Sequence, residues 1–111
     1  MFQDVKDALP VSGDDYDAQI IREIKACALD LTTSAEIVLP GTIAISRDAT
    51  TGAISDTSTL TDALVITAIG TWCNMRIGNP PNYDKLLAAY ESLKGQMRLS
   101  KTYTTSEVVT E

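Results

Sequence analysis

The amino-acid sequence predicts a mainly α protein, a small helical bundle with a short β-hairpin insertion and an extended C-terminal tail. Two patterns carry this prediction. Apolar residues recur at steps of three and four positions over long segments, as on one face of a helix. In the middle of the chain they alternate with polar residues, which is the two-residue period of a strand. We expect one domain over residues 1–111, with helices at about 2–9, 14–32, 60–77 and 82–100, a hairpin at about 42–56 and a tail at 101–111.

The first two predicted helices are separated by a break with clear stop and start signals. Pro10 ends the first helix, because proline cannot donate the backbone hydrogen bond that a helix interior needs. Asp14, Asp15 and Asp17 then form a carboxylate cluster, which suits N-capping and the positive end of a helix dipole. One buried face of the second helix follows from the spacing of its apolar residues Ile20, Ile24, Cys27 and Leu31.

The third and fourth predicted helices differ in how much of their surface is apolar. The third is apolar nearly all round, so it should be buried on most sides. In a chain this small its neighbours can hardly cover it completely, and we expect part of its surface to meet another subunit. Gly70 in its middle costs about 1 kcal/mol relative to alanine, which close helix packing should offset. The fourth helix has one apolar face, formed by Tyr83, Leu86, Tyr90, Leu93 and Met97.

The predicted hairpin and tail are the segments least able to fold alone. Two strands are only marginally stable in water, so the hairpin must lean on a helix or on another chain. We expect its apolar residues Ile43, Ile45 and Ile54 to contact a partner. The tail has β-propensity but little apolar surface. It is expected to be either a frayed end or an arm ordered by a partner, with Tyr103 among the contacts.

Few side chains offer catalytic or metal-binding chemistry. The chain has no histidine, so its serines and threonines lack the ordinary general base. Cys27 and Cys73 form no Cys-x-x-Cys pair, and we expect both to be small buried apolar residues. The three-aspartate cluster lacks the further oxygen ligands of a calcium loop. We therefore expect a protein that is not an enzyme and that needs no cofactor.

The charge balance argues against a protein that grips nucleic acid. The chain carries 15 acidic and 9 basic residues, a net charge of −6, whereas binding to phosphates needs clustered cations. The one basic group, Lys94, Arg98 and Lys101, is either a contact for an acidic partner or a solvated end that matches the helix dipole. No apolar run approaches the roughly 20 residues that span a bilayer. With no secretory signal at Met1, synthesis in a cytoplasm is expected.

Two stretches of the chain, which together span most of it, have a distinctive order of residues. The first comprises Val5-Lys6, Leu9, Gly13-Asp14-Asp15, Asp17, Ile20 and Ile24. The second comprises Leu64-Val65-Ile66, Ala68, Gly78-Asn79-Pro80, Tyr83-Asp84-Lys85-Leu86, Tyr90, Leu93 and Gln96-Met97. These stretches resemble the head–tail connector family of tailed bacteriophages, also termed head-completion or adaptor proteins, whereas residues 33–58 do not match clearly.

This resemblance implies a virion structural protein that oligomerises into a ring, expected to be a dodecamer, beneath the portal protein of the phage head. The ring would extend the DNA channel, offer a platform to a stopper or tail-completion protein, and assemble in the host cytoplasm. Carboxylates lining such a channel repel phosphates, which suits the passage of DNA without specific binding. Two other readings remain open from the residues alone. One is a small helical DNA-binding regulator, and the other is a monomeric helical interaction protein.

We expect the purified protein to show neither hydrolase nor nuclease activity, with or without a divalent metal ion. The reason is the missing histidine and the absence of any convergent carboxylate set in the sequence. Assays on phosphodiester and ester substrates with added Mg²⁺ or Mn²⁺ would check this. Metal-dependent turnover that disappears in Asp14→Asn or Asp17→Asn would contradict it.

Overall fold

The mainly α architecture is confirmed in the computed structural model, which describes residues 1–9, 13, 15–77, 81–100 and 103. Within these residues, the π-helical segment Asp30–Ser34 continues the second helix, and two short strands form an antiparallel sheet. No helix of this described part is long and apolar enough to cross a bilayer. The helices are α1 (Phe2–Asp7), α2 (Asp17–Leu29), α3 (Ala63–Arg76) and α4 (Tyr83–Arg98), and the strands are β1 (Ile45–Arg47) and β2 (Ile54–Asp56).

Helix α3 lies at the centre of the fold and packs against α1, α2 and α4. This placement explains why its sequence is apolar nearly all round, because each neighbour covers a different side. Its contribution to the core is confirmed, whereas Leu64, Ile66 and Trp72 remain half-buried at the edge of the core. The residues of α3 buried in the core are Val65, Ala68, Ile69, Cys73 and Met75.

The start of α2 corrects the capping prediction. The helix begins at Asp17 rather than at residue 14, and its N-cap residue, Tyr16, makes no side-chain capping bond. Asp17 is 3% exposed, and its carboxylate lies 2.7 Å from the Lys6 Nζ of α1. A buried carboxylate without a paired cation is more destabilising than a helix end without a cap. Asp17 therefore pairs with Lys6 and links α1 to α2 instead of capping α2. Asp14 lies outside the described residues.

The hairpin is confirmed, and it leans on the chain's own core. Strands β1 and β2 pair with Ser46 opposite Ser55, and further backbone hydrogen bonds extend the ladder to residue 42 on one side and 59 on the other. Asp48 closes the turn by accepting hydrogen bonds from the N–H groups of Thr50 and Thr51, which lower the pKa of its carboxyl. Ile45 is buried at 4% exposure, against α2.

A second aspartate holds the hairpin to the first helix. Asp56 accepts a hydrogen bond of 2.7 Å from the Phe2 N–H and lies 2.9 Å from the Met1 amino nitrogen. Burial alone would raise the pKa of this carboxyl, but the hydrogen bonds from Phe2, Ser58 and the Met1 amino group together lower it well below its usual range. The two-stranded sheet therefore gains the support that it could not provide for itself.

Of the predicted tail the structure describes one residue, Tyr103, and this residue packs against the rest of the chain rather than fraying. Tyr103 is 7% exposed, and its hydroxyl donates to both carboxylate oxygens of Asp62 at 2.8 Å. Its carbonyl accepts a hydrogen bond of 2.6 Å from the Val38 N–H. Asp62 is also the N-cap of α3, through a bond from the Val65 N–H. The Asp62 carboxylate thus binds both the start of α3 and Tyr103. Residues 101, 102 and 104–111 lie outside the described residues.

Substituting two glycines should have opposite effects on stability. At Gly41 φ is +147°, and an added Cβ would lie 2.7 Å from the Leu60 Cα. Because the Leu60 Cα is a backbone atom that cannot easily move aside, and because φ is unfavourable for an L side chain, Gly41→Ala should destabilise by about 1–3 kcal/mol. At Gly95, inside α4, nothing lies within 4 Å of an added Cβ, so Gly95→Ala should stabilise by about 0.5–1 kcal/mol. Urea unfolding checks both, and a Gly41→Ala variant as stable as wild type would contradict the contact.

Candidate interaction surfaces

The residues predicted to contact a partner occupy different settings in the structure. Three of them, Ile43, Ile45 and Ile54, belong to the hairpin and pack against the core of the same chain. Lys94 is 15% exposed and Tyr103 is buried, both with partners inside the chain. Arg98 is exposed at the C-terminal end of α4. Lys101 lies outside the described residues.

The exposure of these residues differs, and their contact with a partner stays a prediction. Ile45 and Tyr103 are buried within their own chain, so they offer a partner almost no surface. Ile43 and Ile54 keep some exposure at the margin of the core. The alternation of the hairpin sequence predicted a strand correctly. It could not distinguish an apolar face that meets a helix of the same chain from one that meets another chain.

Lys94 belongs to a polar cluster between α2 and α4 that sequence reasoning missed. Tyr90 and Lys94 are one helical turn apart and both reach Asp30, the first residue of the π-helical segment. The Tyr90 hydroxyl donates to Asp30 Oδ2 at 2.6 Å, and Lys94 Nζ lies 3.2 Å from the same oxygen. The Cys27 thiol lies 3.6 Å from the Tyr90 hydroxyl. Asp30 is about 60 residues away from Tyr90 and Lys94 in the sequence, so no local pattern predicted that these side chains meet.

The protonation states of this cluster are fixed at neutral pH. The pKa of Tyr90 is raised mainly by burial. The Asp30 carboxylate, which accepts a hydrogen bond from the Tyr90 hydroxyl, raises this pKa further. Burial also raises the pKa of Cys27 to about 12. Burial would raise the pKa of Asp30, yet the hydrogen bonds from Tyr90 and Lys94 outweigh it and lower that pKa. The cluster therefore holds a neutral phenol, a neutral thiol and an ion pair, which lock α4 to the end of α2.

Both cysteines are free and buried, which confirms that they serve as small core residues. Burial raises the pKa of Cys73 as it does that of Cys27, so neither is a thiolate at neutral pH. Within the described residues no group of three or more His, Cys, Asp or Glu side chains is placed to hold a metal ion.

Trp72 connects three helices at the edge of the core. Its Nε1 donates to Glu23 Oε1 of α2 at 3.1 Å, and its ring meets that of Tyr90 edge to face with centroids 5.3 Å apart. The Arg76 guanidinium lies 4.4 Å from the indole centroid. The indole is half-buried, so the third helix presents a mixed aromatic and charged surface here rather than a bare apolar one.

Several large apolar side chains remain exposed, and three of them lie in two regions of α4. Tyr83 and Leu87 occupy its N-terminal half, at 44% and 38% exposure. Leu99, directly after its last residue, is 90% exposed. The two regions are at opposite ends of the helix. Three further large apolar side chains are exposed outside α4, namely Tyr16, Leu29 and Val38.

A groove opens on α3 between α1 and α4, and we term it the α1–α3–α4 groove. It has a volume of about 260 Å³ and includes Ile66 and Gly70 of α3. Asp4 of α1 and Ala8, the C-cap residue of α1, line the groove on one side. Leu86 of α4 also lines it. A Cβ on Gly70 would lie an ordinary 3.8 Å from the Ala8 Cβ. Gly70 therefore keeps the groove open rather than allowing an unusually close helix contact.

Comparison with known proteins adds no relatives to this description. No family model matches the chain, and searches of curated proteins and solved structures find no significant match.

Removing the Tyr90 hydroxyl should weaken the link between α2 and α4. Because this hydroxyl donates to a carboxylate, Tyr90→Phe should destabilise the protein by about 1.5–3 kcal/mol in urea unfolding at neutral pH. Glu91→Gln is the control. Glu91 also contacts Lys94, at 3.4 Å, but its side chain is 57% exposed, so the change should stay within about 0.5 kcal/mol. Equal effects of the two substitutions would contradict the role given to the buried bond.

The same cluster predicts a pH dependence with a defined sign. The pKa of Asp30 is lower in the folded chain than its ordinary value of 3.8. Its contribution to stability is therefore complete above that value and is lost as the pH falls through the folded-state pKa. The stability difference between wild type and Asp30→Asn should be constant above about pH 5 and should narrow below about pH 4. A difference that narrows as the pH rises would contradict this account.

Proposed function

We propose that this chain is a ring-forming structural adaptor that joins the portal of a bacteriophage head to the tail or stopper protein and extends the DNA channel. Support comes first from the resemblance of its two sequence stretches to the head–tail connector family. The mainly α fold with a hairpin is compatible with such a subunit. It acts by assembly rather than by catalysis, and it needs no cofactor.

The observation that carries the proposal is the exposed apolar surface at the two ends of α4. A subunit of a closed ring must touch two neighbours, one through each of two different surfaces. Tyr83 and Leu87 lie near one end of this helix, and Leu99 lies at the other. Isolated exposed apolar residues are common, but a leucine at 90% exposure gains about 1.5–3 kcal/mol when a partner buries it.

The charge of the chain suits a channel through which DNA passes. With a net charge of −6, a ring of such subunits repels phosphates overall. Lys6 and Lys94, two of the cations that could attract phosphates, are paired with Asp17 and Asp30 inside the chain. The remaining charges favour sliding of the duplex over retention.

The mass of the purified protein in solution tests the proposal. Light scattering coupled to gel filtration, over a wide range of concentration, should show a discrete large species. A dodecamer of 11.9 kDa subunits would have a mass of about 143 kDa. Negative-stain images of that species should show rings. A protein that stays monomeric at the highest concentration, and that does not bind purified portal rings of its own phage, would contradict the proposal.

A DNA-binding assay separates the adaptor from a small DNA-binding regulator. Fluorescence anisotropy with a labelled 30-base-pair duplex, at about 50 mM and 150 mM salt, should show no saturable binding, because the chain carries a net charge of −6. Micromolar binding that weakens steeply with salt would favour the regulator instead.

A further inference from the structure

Two features of the surface are complementary in their apolar and charged groups. One is the pair of exposed residues Arg98 and Leu99 at the end of α4, with Leu99 at 90% exposure. The other is the α1–α3–α4 groove, which offers Ile66, Leu86 and the bare backbone of Gly70 beside the carboxylate of Asp4. The Asp4 side chain is 68% exposed, so an incoming cation can reach it.

The groove suits a side chain better than a small molecule. Its volume of about 260 Å³ is below the roughly 300–1,000 Å³ of typical ligand pockets. In the structure it carries no buried charged group that would orient a polar ligand, and its polar lining is Thr67, Thr71 and Asn74 around an apolar floor. A leucine side chain can pack on the apolar residues Ile66 and Leu86, and a neighbouring guanidinium can pair with Asp4.

A chain cannot fill its own groove with its own leucine. Leu86 and Leu99 are separated by 13 residues of one helix, which is a distance of about 20 Å at 1.5 Å per residue. Because α4 is a continuous helix between these two residues, Leu99 and the groove stay apart within one copy. A second copy of this chain offers an occupant of matching chemistry, because it carries the same exposed Leu99 and Arg98.

We infer that Leu99 of one copy docks in the α1–α3–α4 groove of the next, with Arg98 beside Asp4. This inference rests on the proposed ring and identifies its subunit contact. The contact is heterologous, because two different surfaces meet, and contacts of that kind repeat from copy to copy and form a ring where the rotation between copies closes. Each copy then uses the Leu99 end of α4 toward one neighbour and the groove toward the other, where Leu86 lies at the Tyr83 and Leu87 end of α4.

Cysteine crosslinking tests the contact directly. Leu99→Cys and Thr67→Cys are prepared in separate copies, mixed and oxidised, and the product is read on a non-reducing gel. The native cysteines are buried and do not compete. The mixture should give at least about fivefold more covalent dimer than a control mixture of Leu99→Cys with Ser55→Cys, whose new thiol is exposed on the hairpin. Equal yields, or a stronger Leu99→Cys homodimer, would overturn the inference.

Filling the groove gives a second, independent test. Gly70→Leu should abolish the large species seen by light scattering, whereas Gly70→Ala, whose methyl group has room beside Ala8, should keep it. Because Gly70 is buried in α3, circular dichroism and thermal unfolding must first show that both variants keep the wild-type fold. A mixture of Gly70→Leu with Leu99→Asp should give dimers only, because each partner then keeps one working surface. Rings formed by Gly70→Leu would overturn the inference.

The outcomes separate this inference from the proposed function. If the wild-type protein forms rings but the Leu99→Cys and Thr67→Cys copies do not crosslink, the adaptor proposal stands and this contact is rejected. The crosslink in a protein that forms open chains but no rings would support the contact and count against the adaptor.

Discussion

Helix α3 can be buried only if three other helices pack around it, and this requirement organises the rest of the structure. Its apolar residues point in nearly every direction, so a single neighbour would leave several of them in water. Helices α1, α2 and α4 each cover a different side. The short first helix is therefore a necessary part of the core, with Val5 fully buried, although it has only six residues.

Aspartates then connect segments that are far apart in the sequence. Asp17 pairs with α1, Asp30 with α4, Asp56 with the backbone of α1, and Asp62 with Tyr103. Each carboxylate accepts from a donor on another element, and such charge-assisted bonds are stronger than neutral ones. Part of the acidic character of the chain thus serves its own fold. The same bonds place the end of α4, and with it Leu99, at a defined position.

The sequence was a good guide to what depends on local periodicity and a poor guide to what depends on distant partners. Steps of three and four along α2 and α4 predicted those helices, the nearly continuous apolar stretch of α3 predicted the third, and the alternation at Ile43 and Ile45 predicted the hairpin. Asp17 seemed to be a cap because its pairing with Lys6 depends on how α1 folds back. Tyr103 seemed to belong to a tail because the Asp62 acceptor is about 40 residues away. The groove is built from three elements, so no single stretch predicted it.

Electron cryo-microscopy of the purified protein at high concentration would test most directly whether its exposed apolar surface serves self-assembly. The account predicts closed rings in which the end of α4 of each subunit lies in the α1–α3–α4 groove of its neighbour. Two-fold symmetric dimers, or particles in which Leu99 faces solvent, would contradict it.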